Sequence, residues 1–195
     1  AACEGAILLV DATQGIQAQT LAHFHACQKL GLTIIPVVNK IDISTADVDG
    51  AKQQMTTIFN ITSDSILSVS GKTGAGVIEL LSAIINRIPA PTGNPQGPLR
   101  ALVFNSNFDS HLGVIAWVRI VDGALKVSDK LELSATHAPA TALEVGVFSP
   151  SRLSTRSLES GNVGYVVTNL RDISQITVGD TLTHFDQPLA PLPGY

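Results

Sequence analysis

The first 92 residues alternate between short apolar runs and amphipathic segments, and this pattern predicts strands and helices in turn. The predicted strands are residues 6–10, 32–38 and 66–69. The predicted helices are residues 17–30, 47–59 and 77–88. Because strands alternate with helices, we expect a parallel sheet joined by right-handed crossovers.

Apolar residues at helical spacing predict which side of each helix faces the sheet. In the first helix these are Ala18, Leu21, Ala22, Ala26 and Leu30. In the second they are Ala51, Met55, Ile58 and Phe59, and in the third Val77, Leu80, Leu81, Ile84 and Ile88. We expect these side chains to be buried.

The pattern changes after residues 89–98, a segment rich in proline and glycine that predicts a semi-rigid linker. Further strands are predicted at 99–108, 113–121, 130–135, 140–148 and 164–168. Asp122-Gly123 is typical of a hairpin turn. Several short strands without a helix predict a small closed β-barrel.

Composition limits the classes of protein that fit this pattern. The chain has 195 residues, of which 45% are hydrophobic and 14% charged, so it has enough apolar material for a sizeable core. A net charge of −4 argues against electrostatic nucleic-acid binding by this chain alone. Cys3 and Cys27 have no metal-ligand spacing and suggest a reducing compartment. The start of the chain lacks a basic leader, so we expect a cytoplasmic protein cut from a longer chain.

Candidate chemistry begins where the buried strand 34–38 ends in Asn39-Lys40-Ile41-Asp42. In open α/β sheets, ligands bind just beyond the carboxyl ends of the strands. An ionised Asp42 can accept hydrogen bonds from N1–H and N2–H₂ of guanine, whereas adenine offers no such donor pair. Lys40 can lay its aliphatic stem along the base while its ammonium stays solvated. Asn39 can fix the loop and approach the base edge.

Ser70-Gly71-Lys72 follows the next strand, so both loops should meet at one edge of the sheet. The backbone N–H of Gly71 could donate to O6 of guanine, and Lys72 could cover the base. Taken alone, this segment would be interpreted as an ordinary strand-to-helix loop. Its pairing with the first motif favours a guanine site.

Two other segments resemble phosphate and magnesium motifs without fulfilling them. Gly71-Lys72-Thr73 resembles the end of a P-loop, but that motif needs a glycine where Ile66 stands. The segment 47–50 resembles the Asp-x-x-Gly that senses a γ-phosphate through magnesium, but Asp47 is better interpreted as a helix cap. We therefore predict base recognition without phosphate recognition, and no catalytic or metal-binding residue.

Further motifs in the α/β part are Glu4-Gly5-Ala6, Val10-Asp11-Ala12, Gln14-Gly15 and Gln19-Thr20. With the two base motifs, they resemble translation-factor GTPases. Within that group, the chain resembles the LepA type (elongation factor 4). The motifs that carry this resemblance are Phe108-Asp109, Leu112-Gly113-Val114, Gly179-Asp180-Thr181-Leu182 and Leu192-Pro193-Gly194-Tyr195. The resemblance covers nearly the whole chain.

The resemblance implies the C-terminal part of a P-loop GTPase G domain over residues 1–92 and the β-barrel second domain over 93–185. Residues 186–195 would be a linker toward a third domain. The resemblance also implies GTP hydrolysis coupled to ribosome binding, with the second domain touching RNA and protein of the small subunit. The expected role is the handling of stalled or mistranslocated ribosomes.

Carried over by position, two sets of residues match the family's motifs. Asn39, Lys40 and Asp42 match its guanine-specificity motif. Ser70, Gly71 and Lys72 match its last nucleotide motif, in which alanine is usual where Gly71 stands. A backbone donor survives that exchange, although the loop should be looser.

The P-loop lysine, the switch threonine and the catalytic histidine of the family would precede residue 1. Hydrolysis depends on phosphate cradling, magnesium and water positioning, so we expect Mg²⁺ only with those motifs. We predict that this chain alone hydrolyses no GTP and binds GTP or GDP weakly. Alternatives are another translational GTPase, such as elongation factor G or a ribosomal protection factor, and a non-enzymatic ribosome-interaction module. The sequence carries no signal for or against peripheral membrane association of the longer protein.

Overall fold

The computed structural model describes residues 2–192, which form two compact units. One unit is Cys3–Pro89, and the other begins at Ala90. We expected a boundary between residues 92 and 93, slightly further along the chain. No helix among residues 2–192 is long and apolar enough to cross a membrane.

The first unit is a short parallel sheet with helices on both faces. Its strands are β1, Gly5–Asp11, β2, Thr33–Asn39, and β3, Leu67–Ser68. Its helices are α1, Ala18–Lys29, α2, Val48–Phe59, and α3, Val77–Arg87, with a 3₁₀ turn at Ser63–Ser65. The strand order is β1-β2-β3 and both pairings are parallel, which confirms the predicted α/β arrangement.

The central strand β2 is buried on both faces. Ile35, Val37 and Val38 are inaccessible to solvent. Successive side chains of a strand point to opposite faces, so Ile35 and Val37 pack with α3 while Val38 packs with α1 and α2. Packing on both faces therefore fixes the position of Asn39 at the carboxyl end of β2.

The predicted inner face of α1 is wrong except for Leu21. Ala18, Ala22, Ala26 and Leu30 are exposed, and Phe24 is the buried residue of this helix. The ring of Phe24 packs on that of Phe59 in α2, with centroids 4.2 Å apart. A buried aromatic ring contributes more apolar area than several alanines, so it determines which way the helix faces.

The inner faces of the other two helices are mostly confirmed. Ala51, Met55 and Phe59 are buried, and Val77, Leu80, Ile84 and Ile88 are partly buried. Ile58 and Leu81 are half-exposed, contrary to expectation. Each is adjacent in sequence to an inward residue and therefore lies about 100° around the helix from it.

The second unit consists mainly of antiparallel strands. They are β4, Arg100–Asp109, β5, Gly113–Asp122, β6, Ala124–Lys126, β7, Lys130–Leu133, β8, Pro139–Ser149, β9, Ser151–Thr155, β10, Ser157–Glu159, β11, Val163–Thr168, and β12, Thr181–His184. The order β11-β5-β4-β12-β7-β8 returns to its start because β8 also pairs with β11. The large hydrophobic core of the unit includes Leu99, Val118, Leu131, Val145 and Leu182. A β-rich second unit is therefore confirmed, although β6, β9, β10 and β12 were not predicted.

Asp122-Gly123 does not form the predicted hairpin. The flanking strands β5 and β6 do not pair with each other, and β6 pairs with β10 instead. Gly123 has a φ of 69°, and its N–H donates to the carbonyl oxygen of Asn94 at 2.9 Å. Asp122 accepts a hydrogen bond from the backbone N–H of Asn94 at 2.8 Å. These contacts hold the turn against the preceding segment.

Asn94, within the predicted semi-rigid linker 89–98, is held by these hydrogen bonds to Asp122 and Gly123 of the second unit. In the predicted linker 186–195, the N–H of Leu192 donates to Oγ1 of Thr181 in β12 at 2.7 Å. Residues 193–195 of the Leu192–Tyr195 motif lie outside the described residues.

Candidate guanine-binding site

All six predicted site residues lie together at the carboxyl ends of β2 and β3. A cavity of about 320 Å³ is lined by Asn39, Lys40, Asp42, Ile43, Gly71 and Lys72. Ser70 is inaccessible to solvent and holds the loop from within. The volume lies at the lower end of the roughly 300–1,000 Å³ found for ligand pockets. The structure therefore brings the two motifs to one edge of the sheet.

Asp42 is positioned by the buried Ser70. The Ser70 hydroxyl donates to Oδ1 of Asp42 at 2.7 Å and accepts from the N–H of Thr73 at 3.1 Å. This hydroxyl is the main cause that lowers the pKa of Asp42, and the nearby charges of Lys72 and Lys40 add to it. Asp42 is therefore ionised at neutral pH and acts as a hydrogen-bond acceptor at the cavity wall.

Asn39 ties the two loops to each other. Its Oδ1 accepts a hydrogen bond from the backbone N–H of Gly71 at 3.2 Å, and its carbonyl oxygen accepts from the N–H of Ala12 at 2.9 Å. The expected role of Asn39 in fixing the loop thus has a geometric basis. The Gly71 N–H, however, already donates to Oδ1 of Asn39. It can donate to O6 of a base only if it gives up this hydrogen bond or shares the proton between both acceptors.

Gly71 has room for the methyl group of an alanine. A Cβ built on Gly71 would have Asn39 Oδ1, at 4.0 Å, as its nearest neighbour. Gly71 is also not among the described glycines with a positive φ. Glycine at this position therefore makes the loop looser without being required by its geometry.

Lys40 lines the cavity, and its half-exposed side chain also pairs with a carboxylate that is not predicted from the sequence. Nζ of Lys40 lies 2.7 Å from Oδ2 of Asp11, the last residue of β1. Oδ1 of Asp11 accepts hydrogen bonds from the N–H of Thr13 at 2.8 Å and from its hydroxyl at 2.7 Å. The Lys40 ammonium is the main cause that lowers the pKa of Asp11 to about 2.

Asp11 is the residue of this region that the sequence reasoning missed. Asp11 lies in the Val10-Asp11-Ala12 motif of the resemblance but is assigned no role in the site from the sequence, although Asp11 and Asn39 are partners in the β1–β2 register. The available signal was a second acidic residue at a strand end, because adjacent parallel strands bring such residues to the same edge.

The segment that resembles a magnesium motif is a helix start, as predicted. Asp47 is the N-cap of α2, and its Oδ1 accepts from the N–H of Gly50 at 2.9 Å. Within residues 2–192, no group of three or more His, Cys, Asp or Glu side chains is placed to hold a metal ion.

Comparison with known proteins gives a consistent assignment. Residues 1–90 match the family Elongation factor Tu GTP binding domain. The chain is 48% identical over its whole length to elongation factor 4 of Chlorobium phaeobacteroides and covers 32% of that protein. It is 47% identical over its whole length to elongation factor 4 of Bifidobacterium animalis subsp. lactis and covers 31% of it.

The fold is shared with a solved structure. The apo form of translation elongation factor SelB from Methanococcus maripaludis is similar over 94% of this chain and 40% of its own length, with a TM-score of 0.81 and 24% identity. The present chain spans about a third of the length of the curated relatives it matches. The whole chain is therefore similar to about a third of elongation factor 4, and its residues 1–90 match the GTP binding domain of the elongation factor Tu family.

Proposed function

We propose that this chain is part of a ribosome-associated GTPase of the elongation factor 4 type, and that its cavity binds the guanine of GTP and GDP. The observation that carries the proposal is that hydrogen bonds join the two strand-end loops beside one ionised carboxylate. Ser70 holds Asp42 at 2.7 Å, and Asn39 holds Gly71 at 3.2 Å. A fixed acceptor of this kind suits the N1–H and N2–H₂ donors of guanine.

In this arrangement each residue has a distinct role. Asp42 accepts hydrogen bonds from the base, and Ser70 and Asn39 set the geometry of the two loops. The stem of Lys40 and the side chain of Lys72 supply walls of the cavity. Because Asp42 would be left unpaired against adenine, discrimination of about 10⁴-fold or more is expected in a fully formed site.

We propose that hydrolysis belongs to the longer protein and that this chain alone lacks it. The sequence contains no complete P-loop, since Ile66 stands where its first glycine is required. Among the described residues, no group of three or more His, Cys, Asp or Glu side chains is placed to hold Mg²⁺. Binding of the base without the phosphates leaves most of the nucleotide in water, and weak affinity follows.

Titrations with fluorescently labelled GDP and ADP, together with an assay of phosphate release from GTP, test these proposals. We expect this chain to bind GDP with a dissociation constant above the micromolar range and to release no phosphate from GTP. The intact protein should bind GDP far more tightly than ADP. Micromolar or tighter binding of GDP by the chain alone would contradict the proposed weak affinity. Equal affinity of the intact protein for GDP and ADP would contradict guanine recognition by the cavity.

We further propose that residues 93–185 of the second unit form a closed β-barrel that contacts the small ribosomal subunit while the protein acts on stalled or mistranslocated ribosomes in the cytoplasm. The cyclic order of strand pairings from β11 to β8 supports closure. The family name supports a ribosomal role. Pelleting with ribosomes should retain the chain and its residues 93–185 alike. Loss of binding by residues 93–185, with the whole chain still bound, would place the contact elsewhere.

A further inference from the structure

The ammonium of Lys40 is anchored to a strand other than its own. Nζ lies 2.7 Å from Oδ2 of Asp11 at the end of β1, while Lys40 itself is the first residue of the loop that follows β2. Lys40 also lines the cavity. Its aliphatic stem therefore runs along the cavity wall between the base loop and Asp11.

The Asp11 carboxylate is itself held in place. Oδ1 receives two hydrogen bonds from Thr13, at 2.8 Å from its N–H and at 2.7 Å from its hydroxyl. This leaves Oδ2 directed at the Lys40 ammonium. A pKa of about 2 for Asp11 agrees with a carboxylate that stays charged throughout the neutral range.

The backbone of Lys40 supports the same interpretation. Its φ is 66°, in the left-handed region that residues other than glycine rarely adopt. Such conformations persist where surrounding contacts hold them, and they concentrate at functional sites. Here the N–H of Ile43 donates to the Lys40 carbonyl oxygen at 3.2 Å, in addition to the ion pair with Asp11.

We propose that Asp11 is a positioning residue of the base site, which anchors the Lys40 ammonium so that the lysine stem forms a preformed wall for the purine ring. This inference rests on the proposed function and goes beyond it by adding a residue that does not touch the base. A lysine stem that is already ordered loses less conformational entropy when the base binds.

A purely structural role for Asp11 makes a different prediction. If Asp11 served only the turn at Thr13, loss of its charge would act independently of Lys40. Asp11→Asn keeps Oδ1 as an acceptor for Thr13 and removes only the charge. Lys40→Met keeps an unbranched stem and removes the ammonium. The two changes together form a double-mutant cycle.

The experiment measures the dissociation constant of labelled GDP in the intact protein carrying each single change and both. Asp11→Asn should weaken binding about two- to fivefold, the size expected of a partly exposed ion pair. It should have no further effect when Lys40→Met is already present. The KM for GTP should rise by the same factor while kcat stays constant, and the melting temperature should not move.

Equal effects of Asp11→Asn with and without Lys40→Met, or no effect at all, would overturn the inference. Asp42→Asn belongs in the same series to separate this result from the proposed function. If Asp42→Asn leaves guanine preference unchanged, the proposed function fails and the inference fails with it. If Asp42→Asn alters base preference while the cycle is additive, only the inference about Asp11 fails.

Discussion

Two aspartates, Asp42 in the α/β unit and Asp122 in the β unit, have lowered pKa values, but their hydrogen-bond partners and their exposure differ. Asp122 is nearly buried and accepts hydrogen bonds from the N–H of Asn94 and from Nε of Arg100, with Nη2 of Arg100 at 2.6 Å. Asp42 is exposed at a cavity and is held by the hydroxyl of Ser70. The fold occupies both oxygens of Asp122, whereas Asp42 keeps acceptor capacity for a ligand.

The contrast extends to the two units as a whole. Among residues 2–192, the buried polar side chains of the β unit are Asp122, Thr168, Asp180, Thr181 and Thr183. Several of these fasten loops to strands, as Asp180 does through the N–H of Ala135 at 2.9 Å. In the described part of the α/β unit, Ser70 is the polar residue that is buried as a whole, and it holds Asp42 at the cavity. We therefore expect polar substitutions to affect stability in one unit and nucleotide affinity in the other.

The largest expected effect on stability is that of Asp122→Ala. It leaves Arg100 and the N–H of Asn94 without their acceptor, and hydrogen bonds to a charged group contribute about 1.5–3 kcal/mol. We expect the free energy of unfolding in urea to fall by about that amount. The exposed Asp186→Ala in the same unit is the matched control. GDP affinity of the intact protein should not change with Asp122→Ala. A loss of GDP affinity without a loss of stability would contradict the expectation that Asp122 serves the stability of the β unit.

Ser70→Ala should have a smaller effect, seen mainly in binding. It removes the hydroxyl that orients Asp42 and leaves the N–H of Thr73 unpaired, at a cost of about 1–2 kcal/mol. The dissociation constant for GDP in the intact protein should therefore rise roughly 5- to 30-fold. Ser68→Ala is the control, because the buried Ser68 hydroxyl has no hydrogen-bond partner among the described residues. Equal effects of the two serine changes would argue against a special role for Ser70.

Gly71→Ala has the smallest expected effect. The added methyl group has space, with its nearest neighbour at 4.0 Å, and alanine restricts the unfolded chain. We expect a gain in stability of about 0.4–1 kcal/mol, measured by urea unfolding, with GDP affinity in the intact protein unchanged or slightly tighter. Weaker GDP binding would show that the loop needs the freedom of glycine.

Much of the fold follows from local sequence pattern. The strands ending at Asp11 and Asn39 and the three helices of the first unit lie within a few residues of their predicted bounds. The two base loops were also predictable, because a strand end fixes where the following polar residues lie. These features depend on residues close together in the chain, where periodicity is visible.

The features that were missed depend on contacts between residues far apart in sequence. The orientation of α1 follows from Phe24 packing on Phe59. The turn at Gly123 follows from its hydrogen bond to Asn94. The anchoring of Lys40 follows from Asp11 at the end of a neighbouring strand. A single sequence shows none of these pairings, since each partner looks ordinary in its own segment.

The central claim, that Asp42 recognises guanine, is tested most directly by Asp42→Asn in the intact protein with labelled GDP and xanthosine diphosphate. An asparagine offers one donor and one acceptor, which suit the C2 carbonyl and N1–H of xanthine. We predict that the ratio of the two dissociation constants shifts toward xanthine by about 10³-fold or more, while Asp49→Asn on the exposed surface of α2 shifts nothing. An unchanged preference for GDP in Asp42→Asn would contradict the account.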